Sequence, residues 1–377
     1  MQVPLRCVLF LWAFAHAAAG WGQSSPSETA TFSADARRAQ LALLDEEIDR
    51  HFSEQQLPAL VVLYAEQGVL QYKRLRGHAD LEAQTPVTES HLFRLASVSK
   101  LFAAVLGLRL QERGLLDLQA PVSQYLPAIP QHHSSRVIDL LACRGGVRHY
   151  SDPVSPQSPR FWEIHTYTNA LSAAEKFWLD PLAKPIGEYH YSTHGYTLFA
   201  ACVEQATGMP IAKVIRRELG EPGDLTTLAA ENRATARPLR VTLYRRNPQQ
   251  TGTPVNVPAR PDNLSWKVCG GGLECSAWDL LRFGVQLCRG DHLSAASLQQ
   301  LSARIDGNES YALGCNHSVE QGVLVFAKSG GQLGVNSYIW CAPEKQAVMV
   351  LLCNRQEQAL IPQLGQRLMR IVLAPDK

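Results

Sequence analysis

The segment "RLASVSK", residues 94–100, places Ser97 three residues ahead of Lys100 at the start of an apolar run. A serine hydroxyl is a weak nucleophile until a base takes its proton. Residues three apart on a helix share a face, so Lys100 reaches the Ser97 hydroxyl in the first turn while Ser99 points elsewhere. The Ser97 amide would sit at the positive end of that helix, where a developing oxyanion is stabilised. Alone, the spacing describes a capped helix with a solvated lysine equally well.

Serine-lysine chemistry of this kind uses two further elements, a polar triplet and a lysine-led strand. "VLVFAKSGGQLG" supplies Lys328-Ser329-Gly330, followed by Gly331, at the end of a β-rich run; its glycines let a substrate lie against a strand edge. "EYHYSTHGYTLF" supplies Tyr191-Ser192-Thr193 just before a helical pattern. Read without the others, each is an ordinary turn or cap.

Together, in this order, the three resemble the serine β-lactamase and penicillin-binding-protein family, particularly its class C and esterase branch, where Tyr-x-Asn replaces Ser-x-Asn. The resemblance runs from about Pro58 to Leu373 and includes "HLFRLASVSK", "LLACRGGVRHY" and "CGGGLECSAWDLLRFG". "GVRHY", "YSTHGYTL" and "DNLSWKVCGGGL" resemble the mitochondrial, filament-forming, peptidase-like member. It implies that Ser97 is the acylated nucleophile, Lys100 its proton partner, Tyr191 the general base, and Lys328 the group that binds a substrate carboxylate or sets the electrostatics. Thr193, Ser329, Gly330 and Gly331 would line the substrate, with the Ser97 and Gly331 amides as oxyanion hole. Tyrosine ordinarily titrates near ~10, so a basic Tyr191 requires Lys100 and Lys328 to favour phenolate.

Two positions depart from the family pattern. Thr193 stands where most relatives have asparagine, as it does in the mitochondrial member, which weakens an expectation of true β-lactamase action. Cys143-Arg144-Gly145-Gly146 replaces a polar loop; Arg144 reads as a solvated arginine, with recognition of an acidic substrate group as the alternative. The resemblance implies a serine hydrolase acting on a peptide amide or small ester. A low-activity binding or filament-forming protein of the same fold is the alternative.

The chain has 377 residues and a formal charge of +2 with both signs interspersed, so nucleic acid is not an expected partner. Residues 1–22 carry Arg6, an apolar run and small residues, the layout of a cleaved export signal, followed by a linker at 23–34. A membrane span needs about 20 apolar residues, which this run does not reach. The expected location is the periplasm or outside the cell. The partners expected are a small-molecule or peptide substrate, with self-assembly as a further trait that the resemblance implies and no transmembrane segment in the mature chain. No cofactor or metal is expected. Of nine cysteines, removal of the signal leaves eight, a number that permits disulfides, including a local one in "CGGGLEC". His190 and His194 in "HYSTH" would share a helix face and read as ordinary histidines.

The catalytic region, 35–377, must position these groups. Leu41, Leu44, Ile48 and Phe52 predict a helix over about 35–54, and "ALVVLYAEQGVLQYKRL" a hairpin. Residues 115–261 read as short helical patterns with a strand signal near "RPLRVTLYRR". "AWDLLRFGVQL" predicts a helix, "SYALGC", "GVLVFAKSGG", "VNSYIWC" and "QAVMVLLCN" predict strands, and a helix closes the chain. The fold expected is α+β, β-lactamase/transpeptidase-like. Residues 35–114 and 262–377 build an antiparallel sheet flanked by helices, and 115–261 form a mostly helical insert.

Overall fold

The computed structural model describes residues 34–152, 165–247, 256–305, 310–356 and 360–374. The signal and nearly all of the linker lie outside them. Strands β1 (Ala59–Glu66) and β2 (Val69–Asp80) form the expected hairpin. Gln67 (φ 49°) and Gly68 (φ 75°) make its two-residue turn, left-handed at both positions as the twist of the strands requires. Then come β3 (Thr85–Pro86), β4 (Leu92–Arg94), β5 (Ala229–Ala230), β6 (Tyr244–Arg246), β7 (Asn256–Pro258) and β8 (Leu273–Ser276). Late in the chain lie β9 (Asn316–Glu320), β10 (Val323–Gln332), β11 (Val335–Ala342) and β12 (Ala347–Cys353).

Seven strands join in the order β3-β2-β1-β12-β11-β10-β9, every pairing antiparallel. The two ends of the chain therefore meet at the sheet centre, with Leu63 opposite Val350. β4, β8 and β5 form a smaller sheet.

The helices are α1 (Ala34–Gln55), α2 (Ser99–Glu112), α3 (Val122–Tyr125), α4 (Val137–Leu141), α5 (Ala170–Ala174), α6 (Thr193–Thr207) and α7 (Ile211–Ile215). They continue as α8 (Val268–Gly271), α9 (Ala277–Arg289), α10 (Ala295–Ser302) and α11 (Leu360–Leu373). Alternation along the strands divides the core in two. Leu60, Val62, Met349 and Trp340 pack with Leu44 and Ile48 of α1 and Leu364 and Leu368 of α11. Val61, Leu63, Val350 and Ile339 turn the other way, towards α2 and α9. With both faces covered, the central strands read as nearly unbroken apolar runs.

Several expectations are corrected. In the insert α6 is long, α3, α4 and α5 are single turns, and α7 runs on into a wider helical turn at Arg216–Gly220. "SYALGC" contributes one isolated bridge at Tyr311 instead of a strand. Gly314 adopts φ 70° with its α-carbon against the Lys100 carbonyl, a left-handed turn incompatible with extended chain. Cys269 and Cys275 are both buried as free thiols, so they form no local disulfide. His190 precedes α6 and pairs with Asp152 at 2.7 Å, while His194 lies within α6, stacked on Phe177. They share no helix face.

Candidate active site

Ser97 occupies a 3-10 turn, Ala96–Val98, that feeds directly into α2. Its approach is fixed from two sides: the Leu95 amide donates to the Leu273 carbonyl at 2.8 Å, and Ser337 Oγ donates to the Leu95 carbonyl at 2.6 Å. Ser99 Oγ accepts from the Leu273 amide, so this serine faces away from Ser97 and anchors β8. Ala96 is held at φ 44°, a left-handed conformation that costs a non-glycine residue on the order of 1–3 kcal/mol. Strain sits immediately before the nucleophile candidate, and Ser97 stays half-buried where its neighbours are sealed.

Lys100, in the first turn of α2, is fully buried. Its Nζ donates to Ser97 Oγ at 3.1 Å, Thr193 Oγ1 at 3.1 Å and the Gly270 carbonyl at 2.5 Å. Tyr191 approaches Ser97 from the opposite side, its hydroxyl donating to Ser97 Oγ at 2.8 Å. Tyr191 is placed there by the start of α6, where Ser192 Oγ caps the Gly195 amide and donates to the Arg148 carbonyl. Lys328 Nζ stands 5.1 Å from the Tyr191 ring centre and 5.4 Å from that of Tyr311. The structure thus brings Ser97, Lys100, Tyr191 and Lys328 around one point.

The other expected site residues divide. β9 pairs with β10 over Val323–Ala327 and stops, leaving the edge of residues 328–332 open on that side. Here Gly330 meets the nucleophile turn: a Cβ added to it would lie 2.8 Å from the Ser97 amide nitrogen and 2.4 Å from the Leu95 carbonyl. Ser329 is half-buried and Gly331 exposed along the same edge. Thr193 is buried with its hydroxyl on Lys100 and its amide donating to His149 Nδ1 at 3.0 Å, so it supports the lysine instead of lining the substrate. Arg144 is not solvated. It is buried, donates to the Gly187 carbonyl, and with the Cys143 carbonyl holds the segment before Tyr191.

The electrostatics run against the expected phenolate. Burial, with the nearby Lys328 and Lys267 charges, pushes Lys100 well below the usual lysine range. Burial pushes Tyr191 above its usual value, which the hydrogen bond with Ser97 only partly opposes. Lys328 is lowered by burial to about 8. A neutral Lys100 has two N–H bonds and one lone pair. In that form the Gly270 carbonyl and Thr193 hydroxyl would take the two donors and the lone pair would face the Ser97 hydroxyl, reversing the Nζ-to-Oγ hydrogen bond.

Several residues escaped the sequence reading. Lys267 is buried between the Trp266 and Tyr150 rings, at 5.1 and 5.3 Å, and lowered by burial to about 8. His149 is lowered by burial to about 3. Tyr311 lies edge-on to Tyr191 at 6.0 Å. Tyr311 came from a run read as strand, and Lys267 and His149 lay unremarked inside the quoted blocks.

A serine hydroxyl held between a neutral lysine amine and a tyrosine, at a helix start beside an antiparallel sheet, defines the active-site serine hydrolases of β-lactamase fold. The chain belongs to the Beta-lactamase family, whose model matches residues 42–373. It is 26% identical over 293 residues to the mitochondrial serine beta-lactamase-like protein LACTB of Homo sapiens, covering 60% of this chain and 52% of that one. It is 26% identical to penicillin-binding protein 4* of Bacillus subtilis (78% and 68% covered) and 31% identical to esterase EstB of Burkholderia gladioli (48% and 49%). The chain therefore spans about half the length of the human relative. Among solved structures, the octameric penicillin-binding protein homologue of Pyrococcus abyssi aligns with a TM-score of 0.74 at 19% identity, covering 89% of this chain and 78% of that one. The D-amino acid amidase of Ochrobactrum anthropi SV3 aligns with 0.72 at 20%, covering 90% and 98%. These two likenesses establish the fold.

Proposed function

We propose that this chain is an exported serine hydrolase that cleaves a peptide amide or small ester through an acyl-enzyme on Ser97. The observation that carries the reading is the double contact of Ser97 Oγ, with Lys100 Nζ at 3.1 Å and the Tyr191 hydroxyl at 2.8 Å. Neutral Lys100 takes the Ser97 proton as Oγ bonds to the substrate carbonyl carbon. The Ser97 and Gly331 amides receive the oxyanion. As the C–N or C–O bond breaks, the proton passes from Lys100 through the Tyr191 hydroxyl to the leaving group. Water then cleaves the ester by the same proton path in reverse. Lys328 holds a carboxylate on the leaving-group side.

An active-site acylating probe with peptide mapping tests this. The expected result is one adduct, on Ser97, absent in Ser97→Ala; labelling elsewhere, or labelling unchanged in Ser97→Ala, overturns it. Export is supported by residues 1–22, and amino-terminal sequencing of the mature protein tests it.

Self-assembly belongs to the alternative, a weakly active binding or filament-forming protein. The octameric fold relative supports it, and Thr193 in place of asparagine motivates it. Light scattering decides: a discrete monomer with robust Ser97-dependent turnover removes it.

A further inference from the structure

The Lys267 ammonium has no carboxylate in ion-pair reach among the described residues. Its nearest acids are committed elsewhere: Glu231 is gripped by Arg94 at 2.7 and 2.8 Å and by Arg233 at 2.6 Å, and Asp262 accepts from Arg94 at 2.6 Å. The Lys267 ammonium makes no hydrogen bond or ion pair with any described residue, and what faces it are the Trp266 and Tyr150 rings. Burying a charge with no counter-charge is costly, so such a group is retained where a partner arrives later.

Its position says which partner. Tyr191 packs on His149 at 5.4 Å, His149 on Tyr150 at 4.2 Å, and Lys267 caps Tyr150, whereas Lys328 caps Tyr191 itself. Lys267 therefore lies two rings further along this aromatic row than Lys328. Its stem also approaches the nucleophile turn: a Cβ added to Gly271 would lie 3.7 Å from both Lys267 Cδ and the Ala96 carbonyl carbon.

We infer that Lys267 is a specificity-determining residue that binds a carboxylate on the acyl side of the substrate. The preferred acyl donor then carries an anionic side chain, apart from any carboxylate held by Lys328. This rests on the hydrolase reading above and adds its substrate class.

The test compares 4-nitrophenyl esters of matched length, glutaryl against pentanoyl, with the Ser97→Ala background subtracted. Wild type is expected to prefer the glutaryl ester in kcat/KM by about ten- to hundredfold, the range for a hydrogen bond to a charged group. Lys267→Met should bring the ratio near one, Lys267→Arg should keep it, and Lys267→Glu should favour the 5-aminopentanoyl ester. A wild-type ratio of one or below, or a ratio unmoved by Lys267→Met in a protein that melts normally, overturns the inference. If neither ester shows Ser97-dependent turnover, the hydrolase reading fails. Titration of glutarate into Ser97→Ala with and without Lys267→Met still decides Lys267, through an expected loss in affinity of at least about tenfold.

Discussion

Lys100 and Lys328 are the same residue type, both buried and both beside Tyr191, yet they sit in opposite surroundings. Lys100 is enclosed by three hydrogen-bond partners supplied by the 3-10 turn before α2, by α6 and by α8. Lys328 comes off an open sheet edge onto aromatic ring faces, with no carboxylate in ion-pair reach among the described residues. Burial, with the Lys328 charge beside it, pushes Lys100 well below the ordinary lysine range, whereas Lys328, lowered by burial to about 8, keeps its charge near neutral pH with no anion beside it. Lysine identity alone does not assign either role; its partners do.

Exchanging each lysine for arginine tests that contrast most severely. A guanidinium cannot give up its proton, so Lys100→Arg should cost roughly a hundred- to ten-thousandfold in kcat. Lys328→Arg keeps the charge and should stay within about tenfold of wild type. Equal losses in the two variants would erase the distinction. Next in size, Lys328→Met should raise KM for carboxylate-bearing substrates by about ten- to hundredfold while moving kcat far less.

The same contrast has a pH signature. Because Lys328 is depressed to about 8, its charge disappears as pH rises through that value instead of through the ordinary lysine range. For carboxylate-bearing substrates kcat/KM should fall above about pH 8, approaching tenfold per pH unit. A pH profile with no such limb, compared between charged and neutral substrates, would count against anion binding at Lys328. Smallest, Thr193→Val removes one hydrogen bond from Lys100 and should lower kcat about fivefold, with Thr193→Ser restoring it.

What the sequence reveals follows from how locally each feature is encoded. Ser97 and Lys100 are three residues apart, and the motifs carrying Tyr191 and Lys328 are short, so their types and order are legible. The sheet is equally legible, because "QAVMVLLCN" and "VNSYIWC" are apolar on both faces. Thr193 was misplaced because its partner, Lys100, lies 93 residues away, and nothing in "YST" says which way the hydroxyl turns. Arg144 reads as solvated until the chain before Tyr191 folds over it. Lys267 has no spacing signature at all. Its meaning comes from Arg94 and Arg233 having already engaged Glu231, a fact of three distant segments. The phenolate expectation meets a related difficulty: the proximity of ammonium groups is visible in the sequence, but the burial that works against charge on both Lys100 and Tyr191 is not.

The eight buried thiols give the molecule a set of internal reporters. Each reacts with a thiol reagent only when its surroundings open, so labelling rates measure local unfolding, region by region. Cys341 and Cys353, in the central sheet strands, should label last, at the rate of global opening. Cys143 hydrogen-bonds within the site near Tyr311 and Ser192, so its protection should rise when an acyl group occupies Ser97. Enzyme occupancy would then be readable from a cysteine that takes no part in the chemistry.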